Sequence, residues 1–144
     1  MPSKGKNFHV GLKAFLQKDS SFLALKDAYS DYWDVPGGRI EASEIDQPVT
    51  ECLRRELLEE LGLSFHFKIN NLFEVCKFRV DVKNKLSPGV NLFLVFYACQ
   101  YLGGDIVLND ESLKYEWLTK ENYKLYNFGS QQKVIEQFVR QRLS

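Results

Sequence analysis

The stretch VTECLRRELLEELGL, residues 49–63, is the most informative part of the sequence. It combines the period of an amphipathic helix with acids on the apolar side. At about 100° per residue, Glu56 and Glu60 fall in the same arc as Leu53 and the other core-facing residues. Glu59 lies at the edge of that arc. A solvated helix places its acids opposite the apolar stripe. The stretch therefore predicts a helix that carries carboxylates toward the protein interior.

The two ends of this helix have their own signals. Pro48 suits the first turn, where a missing N–H does no harm, and Asp46 or Gln47 is placed to cap the helix. Gly62 is a typical residue at a helix C-terminus. We therefore expect a helix over Val49–Leu61.

Neighbouring carboxylates on an inward face need a neutralising charge, because burial of an unpaired charge is unfavourable. Arg55 can reach Glu59 one turn further along, but one guanidinium cannot balance the acids at positions 56, 59 and 60. Carboxylate oxygens on a rigid helix suit Mg²⁺ or Mn²⁺. The pattern favours a divalent metal site; a plain charged flank of the helix is the alternative.

Strands are predicted on both sides of the helix in the sequence. Before it, the glycine turn DVPGG, residues 34–38, lets the backbone approach a ligand closely. The expected strands are Phe8–Gln17, Phe22–Lys26, Phe65–Ile69, Leu72–Val82, Val90–Gln100 and Glu116–Leu118, and a second helix is expected over Ser130–Arg142. This order predicts an α/β protein, an α/β/α sandwich around a central mixed β-sheet.

The composition indicates one globular domain over residues 1–144. Lys and Arg number 19, as do Asp and Glu, so no stable nucleic-acid binding is expected. The longest apolar run, Leu92–Cys99, is too short for a membrane helix, so we expect no membrane association. Three widely spaced cysteines fit neither a disulfide framework nor a zinc site, which favours the cytoplasm. A homodimer is compatible with the sequence, which leaves the oligomeric state open.

The helix and the glycine turn together resemble the sequence motif of the Nudix (MutT-like) hydrolase family. That motif is G, five residues, E, seven residues, then R-E-U-x-E-E-x-G-U, where U is aliphatic. Gly38 and Glu44 match its first part and Arg55–Leu63 match its second part in full, so the motif spans residues 38–63. Ten residues separate Glu44 from Arg55, three more than in the family. This departure predicts an enlarged loop that tunes substrate access.

The resemblance implies a Nudix-type fold and hydrolysis of a nucleoside diphosphate linked to another moiety, with Mg²⁺ (Mn²⁺ as the alternative) as cofactor and a small nucleotide as partner. By position, Glu56 and Glu60 would be metal ligands, and Glu59 would share a metal or its water shell. The carbonyl oxygen of Gly37 would be a further ligand. Arg55 would orient the glutamates, and a carboxylate would take a proton from the attacking water.

Some relatives recruit one more acid from a loop before a late tryptophan. Here Glu111, six residues before Trp117, matches best as a metal ligand or base, and Glu116 is the competing choice. The glycine turn suggests substrate contacts at Gly38 and Arg39. The aromatic residues Tyr32, Trp33 and Phe128 are candidates for stacking on a base, although aromatic residues more often fill a core.

Two other functions stay open on the same fold. A diphosphate isomerase would need a catalytic cysteine upstream of the motif, and no cysteine precedes Cys52. A catalytically silent nucleotide-binding module would usually lose motif glutamates, which are present here. The sequence does not choose between a nucleoside triphosphate and a nucleotide sugar as substrate.

Overall fold

The computed structural model describes residues 7–80 and 89–143, and in these ranges a mixed sheet lies between two helices. The strands are β1 (His9–Lys18), β2 (Ser21–Asp27), β3 (Trp33–Asp34), β4 (Gly37–Arg39), β5 (Phe65–Arg79), β6 (Asn91–Gly104) and β7 (Ser112–Thr119). The helices are α1 (Val49–Leu61) and α2 (Gln132–Arg142). Short 3-10 helices occupy Ala42–Glu44, Tyr123–Leu125 and Gly129–Gln131.

Strand β1 is central to the sheet, which runs in the order β3-β2-β1-β6-β5, with β7 paired to β2. It runs parallel to β6 from His9 opposite Leu92 to Gln17 opposite Gln100. On its other edge it pairs antiparallel first with β4 and then, near the turn, with β2. The parallel and antiparallel pairs together confirm the predicted mixed sheet.

The two faces of β1 pack against different helices because its side chains alternate. Leu12, Ala14 and Leu16 belong to the cluster that contains the apolar residues of α1. Phe15 belongs to the other cluster, where its ring stacks on Phe138 of α2 with centroids 4.1 Å apart. One helix on each face confirms the predicted α/β/α sandwich.

The strands differ from the sequence prediction in their extent. The runs Phe65–Ile69 and Leu72–Val82, predicted as two strands, form the single strand β5, whose irregularity at Ile69/Asn71 is a bulge rather than a turn. The end of the second run, Val82, lies outside the described residues. The short strand predicted at Glu116–Leu118 is extended to eight residues because all of β2 is available to pair with β7.

Helix α1 has the bounds that the sequence predicts, Val49–Leu61, and ends at Gly62. The predicted capping by Asp46 or Gln47 is wrong: Pro48 holds the position before the helix, and no side chain caps that end. The described helices include none long and apolar enough to cross a membrane.

Candidate active site

The glycine strand β4 brings the chain against two carboxylates of α1. The N–H of Gly37 donates to Oε1 of Glu60 at 2.9 Å. The carboxylate of Glu56 lies where a β-carbon on residue 38 would be, so any larger residue at Gly38 would displace this carboxylate. Gly37 itself has φ 147°, and a β-carbon there would overlap the backbone of β1. The turn therefore holds the helix acids close to the edge of the sheet.

Arg55 organises the outer side of the same helix. Its Nη2 and Nε donate to the two carboxylate oxygens of Glu44 at 2.6 and 2.7 Å, and its Nη1 donates to Glu59 at 3.1 Å. Nη2 also lies 2.9 Å from Glu56 Oε1. The predicted contact between Arg55 and Glu59 is confirmed. The bidentate bond also shows that Glu44 reaches the guanidinium although the loop between Glu44 and Arg55 is three residues longer than in the family.

These contacts shift two ionisation equilibria. Hydrogen bonds from Arg55 and from the Glu41 N–H lower the pKa of Glu44 to about 2. The bond to Glu44 in turn raises the pKa of Arg55 above its already high value. Both groups are therefore charged throughout the neutral range.

The three motif glutamates have different environments. Glu60 is buried, with 8% of its surface exposed, and burial raises its pKa to about 8 against the opposing effect of Lys13. Burial also raises the pKa of Glu56, with Arg55 acting in the other direction. The side chain of Glu59 is 55% exposed, so it lies on the edge of the inward arc. Burial therefore disfavours the charged form of two of the three acids.

Lys13 and Asp34 join the site, although the sequence pattern did not single them out. Lys13 Nζ lies 2.8 Å from Asp34 Oδ2, and the lysine side chain is only 13% exposed. Burial pulls the pKa of Lys13 down, but Asp34 and Glu60 outweigh it and hold the pKa above its ordinary value. One sequence signal could have identified Lys13: it lies two residues before the core residue Phe15, so it is a lysine on a core-facing side of β1.

Asn109 positions the loop that carries Glu111. Its Nδ2 donates to the carbonyl oxygen of Glu59 at 3.3 Å, and its Oδ1 accepts the N–H of Glu111 at 3.0 Å. The carbonyl of Glu111 also accepts the N–H of Ala28. The loop is thus connected both to α1 and to β2. Glu116 instead points outward from β7 as an exposed residue.

A cleft of about 380 Å³ opens beside these groups. Four of the predicted site residues line it: Gly37, Arg39, Glu60 and Glu111. Arg55 and Glu59 instead line a separate, shallow groove on the outer side of α1. The three predicted aromatic residues also line the cleft: Tyr32, Trp33 and Phe128. Phe128 is only 2% exposed and belongs to the core cluster around Phe15, so Tyr32 and Trp33 are the rings that remain available to a ligand.

The donor chemistry beside the cleft fits a divalent cation. Glu56 and Glu60 are hard oxygen donors, and their raised pKa values are what a nearby cation would reverse. In the described ranges no three His, Cys, Asp or Glu side chains already converge as a ligand set. Glu59 is turned toward Arg55 and is exposed enough to rotate.

Comparisons with known proteins agree with this geometry. The family model described as "NUDIX domain" matches residues 7–138. The chain is 29% identical over 124 aligned residues to a protein named nucleoside triphosphatase NudI from Salmonella arizonae, covering 79% of this chain and 84% of that one.

Two solved structures are similar in fold. A MutT protein from Methanosarcina mazei Go1 superposes with a TM-score of 0.75 at 20% identity, and the match covers 99% of this chain and all of that one. A UDP-X diphosphatase superposes with a TM-score of 0.69 at 19% identity, where 96% of this chain covers 66% of the longer one.

Proposed function

The chain belongs to the NUDIX domain family, and from this premise we propose that it hydrolyses a phosphoanhydride bond of a nucleotide with a divalent cation as cofactor. The observation that carries the proposal is the pair of buried carboxylates, Glu56 and Glu60, held against the glycine strand beside the cleft. A buried acid pair with raised pKa values is typical of a functional site. Arg55 is shared among Glu44, Glu56 and Glu59, so it does not balance the charge of the acid pair.

The substrate class follows from the relatives and from the cleft. The similar Salmonella protein is named a nucleoside triphosphatase, and one structural neighbour is a UDP-X diphosphatase. Both names describe a nucleotide with linked phosphates. The volume of about 380 Å³ and the lining rings of Tyr32 and Trp33 suit a nucleotide whose base stacks on one of them.

The residues that would hold the cation are Glu56, Glu60, Glu59 and the carbonyl oxygen of Gly37. Bound there, Mg²⁺ or Mn²⁺ would neutralise phosphate charge and lower the pKa of a coordinated water. Gly37 orients Glu60 through its N–H, so the strand that closes the cleft also fixes this acid.

The remaining residues bind, orient and accept a proton. Arg55 holds Glu56 and Glu59 in position through its shared guanidinium. Glu111, at the cleft wall, takes the proton of the attacking water on a carboxylate oxygen. Gly38 and Arg39 line the approach to the phosphates, and Arg39 is positioned beside the ring of His9, with Nη1 3.4 Å from Nδ1.

A substrate screen tests the proposal. We expect Mg²⁺-dependent hydrolysis of at least one of the nucleoside triphosphates, oxidised triphosphates, dinucleoside polyphosphates and nucleotide sugars. The products to measure are phosphate or pyrophosphate from the triphosphates, and the nucleotide or sugar phosphate products from the other two classes. Chelation by EDTA should abolish the hydrolysis, and added Mg²⁺ should restore it. Hydrolysis that is unaffected by EDTA, or nucleotide binding without any turnover, would contradict the proposal; the second result would indicate a silent binding module.

A further inference from the structure

Lys13 is a largely buried cation that lines the cleft, and the proposed chemistry leaves it without a role. Its side chain is 13% exposed and lines the cleft together with Arg39. Among the described residues, four carboxylates line the same cleft: Asp27, Asp34, Glu60 and Glu111. The cationic side chains that line it within the described ranges are Lys13 and Arg39, so a polyanionic substrate gains from each of them.

The register of the sheet places Lys13 next to the motif. In the β1–β4 pair, Lys13 is directly opposite Gly37, whose N–H holds Glu60. Lys13 lies on the β1 face that looks away from Leu12 and the α1 core cluster. Lys13 therefore lies on the face of the sheet that carries Phe15, and it lines the cleft together with Glu60.

Asp34 fixes the ammonium without using all of its donors. Asp34 Oδ2 accepts from Lys13 Nζ at 2.8 Å, and Asp34 Oδ1 accepts the N–H of Val35 at 2.8 Å. The carboxylate is thus held at both oxygens. A lysine ammonium has three N–H donors. Asp34 is its hydrogen-bond acceptor within the described part of the chain, so donors are left for an oxygen in the cleft.

We propose that Lys13 binds a phosphate oxygen of the nucleotide, and that Asp34 is the positioning residue that holds the ammonium for this contact. The inference rests on the proposed function, because it assigns a phosphate-binding residue to the same cleft. The competing explanation is that Lys13 only neutralises Asp34 and Glu60. The two explanations differ in one measurable respect: only the first makes the affinity for phosphate depend on residue 13.

The test measures binding rather than turnover. Calorimetry would compare the α,β-methylene analogues of ADP, GDP, CDP and UDP, with the matching nucleosides as uncharged counterparts, in EDTA and in Mg²⁺. The decisive pair is Asp34→Asn against the double variant Lys13→Met with Asp34→Asn. This pair removes the ammonium without leaving the Asp34 carboxylate unpaired, and the introduced amide keeps an oxygen that accepts the Val35 N–H.

We expect the double variant to bind the methylene analogues about tenfold to a hundredfold more weakly than Asp34→Asn, the effect of one charged hydrogen bond. Nucleoside affinity should be the same in both. Lys120→Met, which removes an exposed charge just after β7, should bind like the wild type. Equal analogue affinity in the decisive pair, or equal weakening by Lys120→Met, would overturn the role of Lys13. A wild-type protein that binds no analogue would contradict the proposed function itself.

Discussion

Helices α1 and α2 cover opposite faces of one sheet, but they bury different chemistry. The buried residues of α2 are all apolar: Val134, Ile135, Phe138 and Val139. Helix α1 buries Glu60 among its leucines, and it leaves the Glu56 side chain only 13% exposed. Stacked and edge-to-face rings join Phe138 to Phe15, Phe22 and Phe73 on the α2 side.

This contrast indicates that the α2 face of the sheet contributes mainly to stability and the α1 face mainly to activity. Aromatic packing on the α2 face adds favourable free energy with no polar group to desolvate. On the α1 face, desolvated carboxylates oppose folding until a cation neutralises them. We therefore expect substitutions in α1 to change activity and those in α2 to change stability.

The largest effect should come from Glu60→Gln. Turnover with Mg²⁺ should fall by about three orders of magnitude, or about 4 kcal/mol on the barrier, because a charged ligand is lost. The melting temperature in EDTA should rise at neutral pH. Gln keeps an acceptor for the Gly37 N–H, and folding no longer requires protonation of an acid whose pKa burial raises to about 8. Steady-state kinetics and calorimetric melting check both. Wild-type turnover at saturating Mg²⁺ would refute the metal assignment.

Phe138→Ala should give the opposite result on the other face. Loss of a fully buried ring leaves a cavity and lowers the free energy of unfolding by about 3 kcal/mol. Turnover per folded molecule should stay near the wild-type value, because Phe138 does not line the cleft as the structure describes it. Urea unfolding combined with activity measured below the transition distinguishes the two quantities. A large loss of turnover in the folded fraction would mean that the two faces are coupled.

Glu111→Gln should lower kcat by about a hundredfold with little change in KM, because a base acts mainly in the transition state. The matched control is Glu116→Gln, which removes the same charge from the exposed side of β7. An effect on KM alone, or equal effects in both variants, would show that Glu111 does not act as the base.

Glu44→Gln should make the protein less stable at neutral pH and change its acid sensitivity. Since the folded-state pKa of Glu44 is lowered from about 4.5 to about 2, the wild type keeps this stabilisation above pH 4.5 and loses it as the pH falls toward 2. The difference in unfolding free energy between variant and wild type should shrink over that window. A constant difference across the window would show that Arg55 does not control the ionisation of Glu44.

The smallest effect should follow deletion of residues 45–47, which restores the family spacing. These residues form an exposed turn. The entropic free energy of closing a loop changes by only about 0.6 kcal/mol for a twofold change in its length, so a three-residue deletion has a small effect. Mg²⁺-dependent cleavage of a small test substrate should persist, while the ranking of larger substrates shifts. Complete loss of turnover in a folded deletion variant would place a catalytic group in the loop.

The sequence was most informative where interactions are local. The period of residues 49–61, ending at Gly62, predicts α1 and the phases of its acids without reference to the rest of the chain. The sequence did not predict the features that depend on pairing between strands. Asn70 and Asn71 have turn composition, yet β6 continues alongside them and makes a bulge. The ion pair of Lys13 with Asp34 joins two strands, so no local pattern could specify it.

The parallel pairing of β1 with β6 also sets an order of assembly. The elements that carry the helix acids, from β1 through α1, are neighbours in sequence and can associate through short loops. Strand β6 joins β1 across roughly eighty residues, and such non-local pairing slows folding because a long loop must close first. Leu92 of β6 and Phe128 also line the cleft. During folding, the acidic helix can thus be in place before the chain adds these later lining residues.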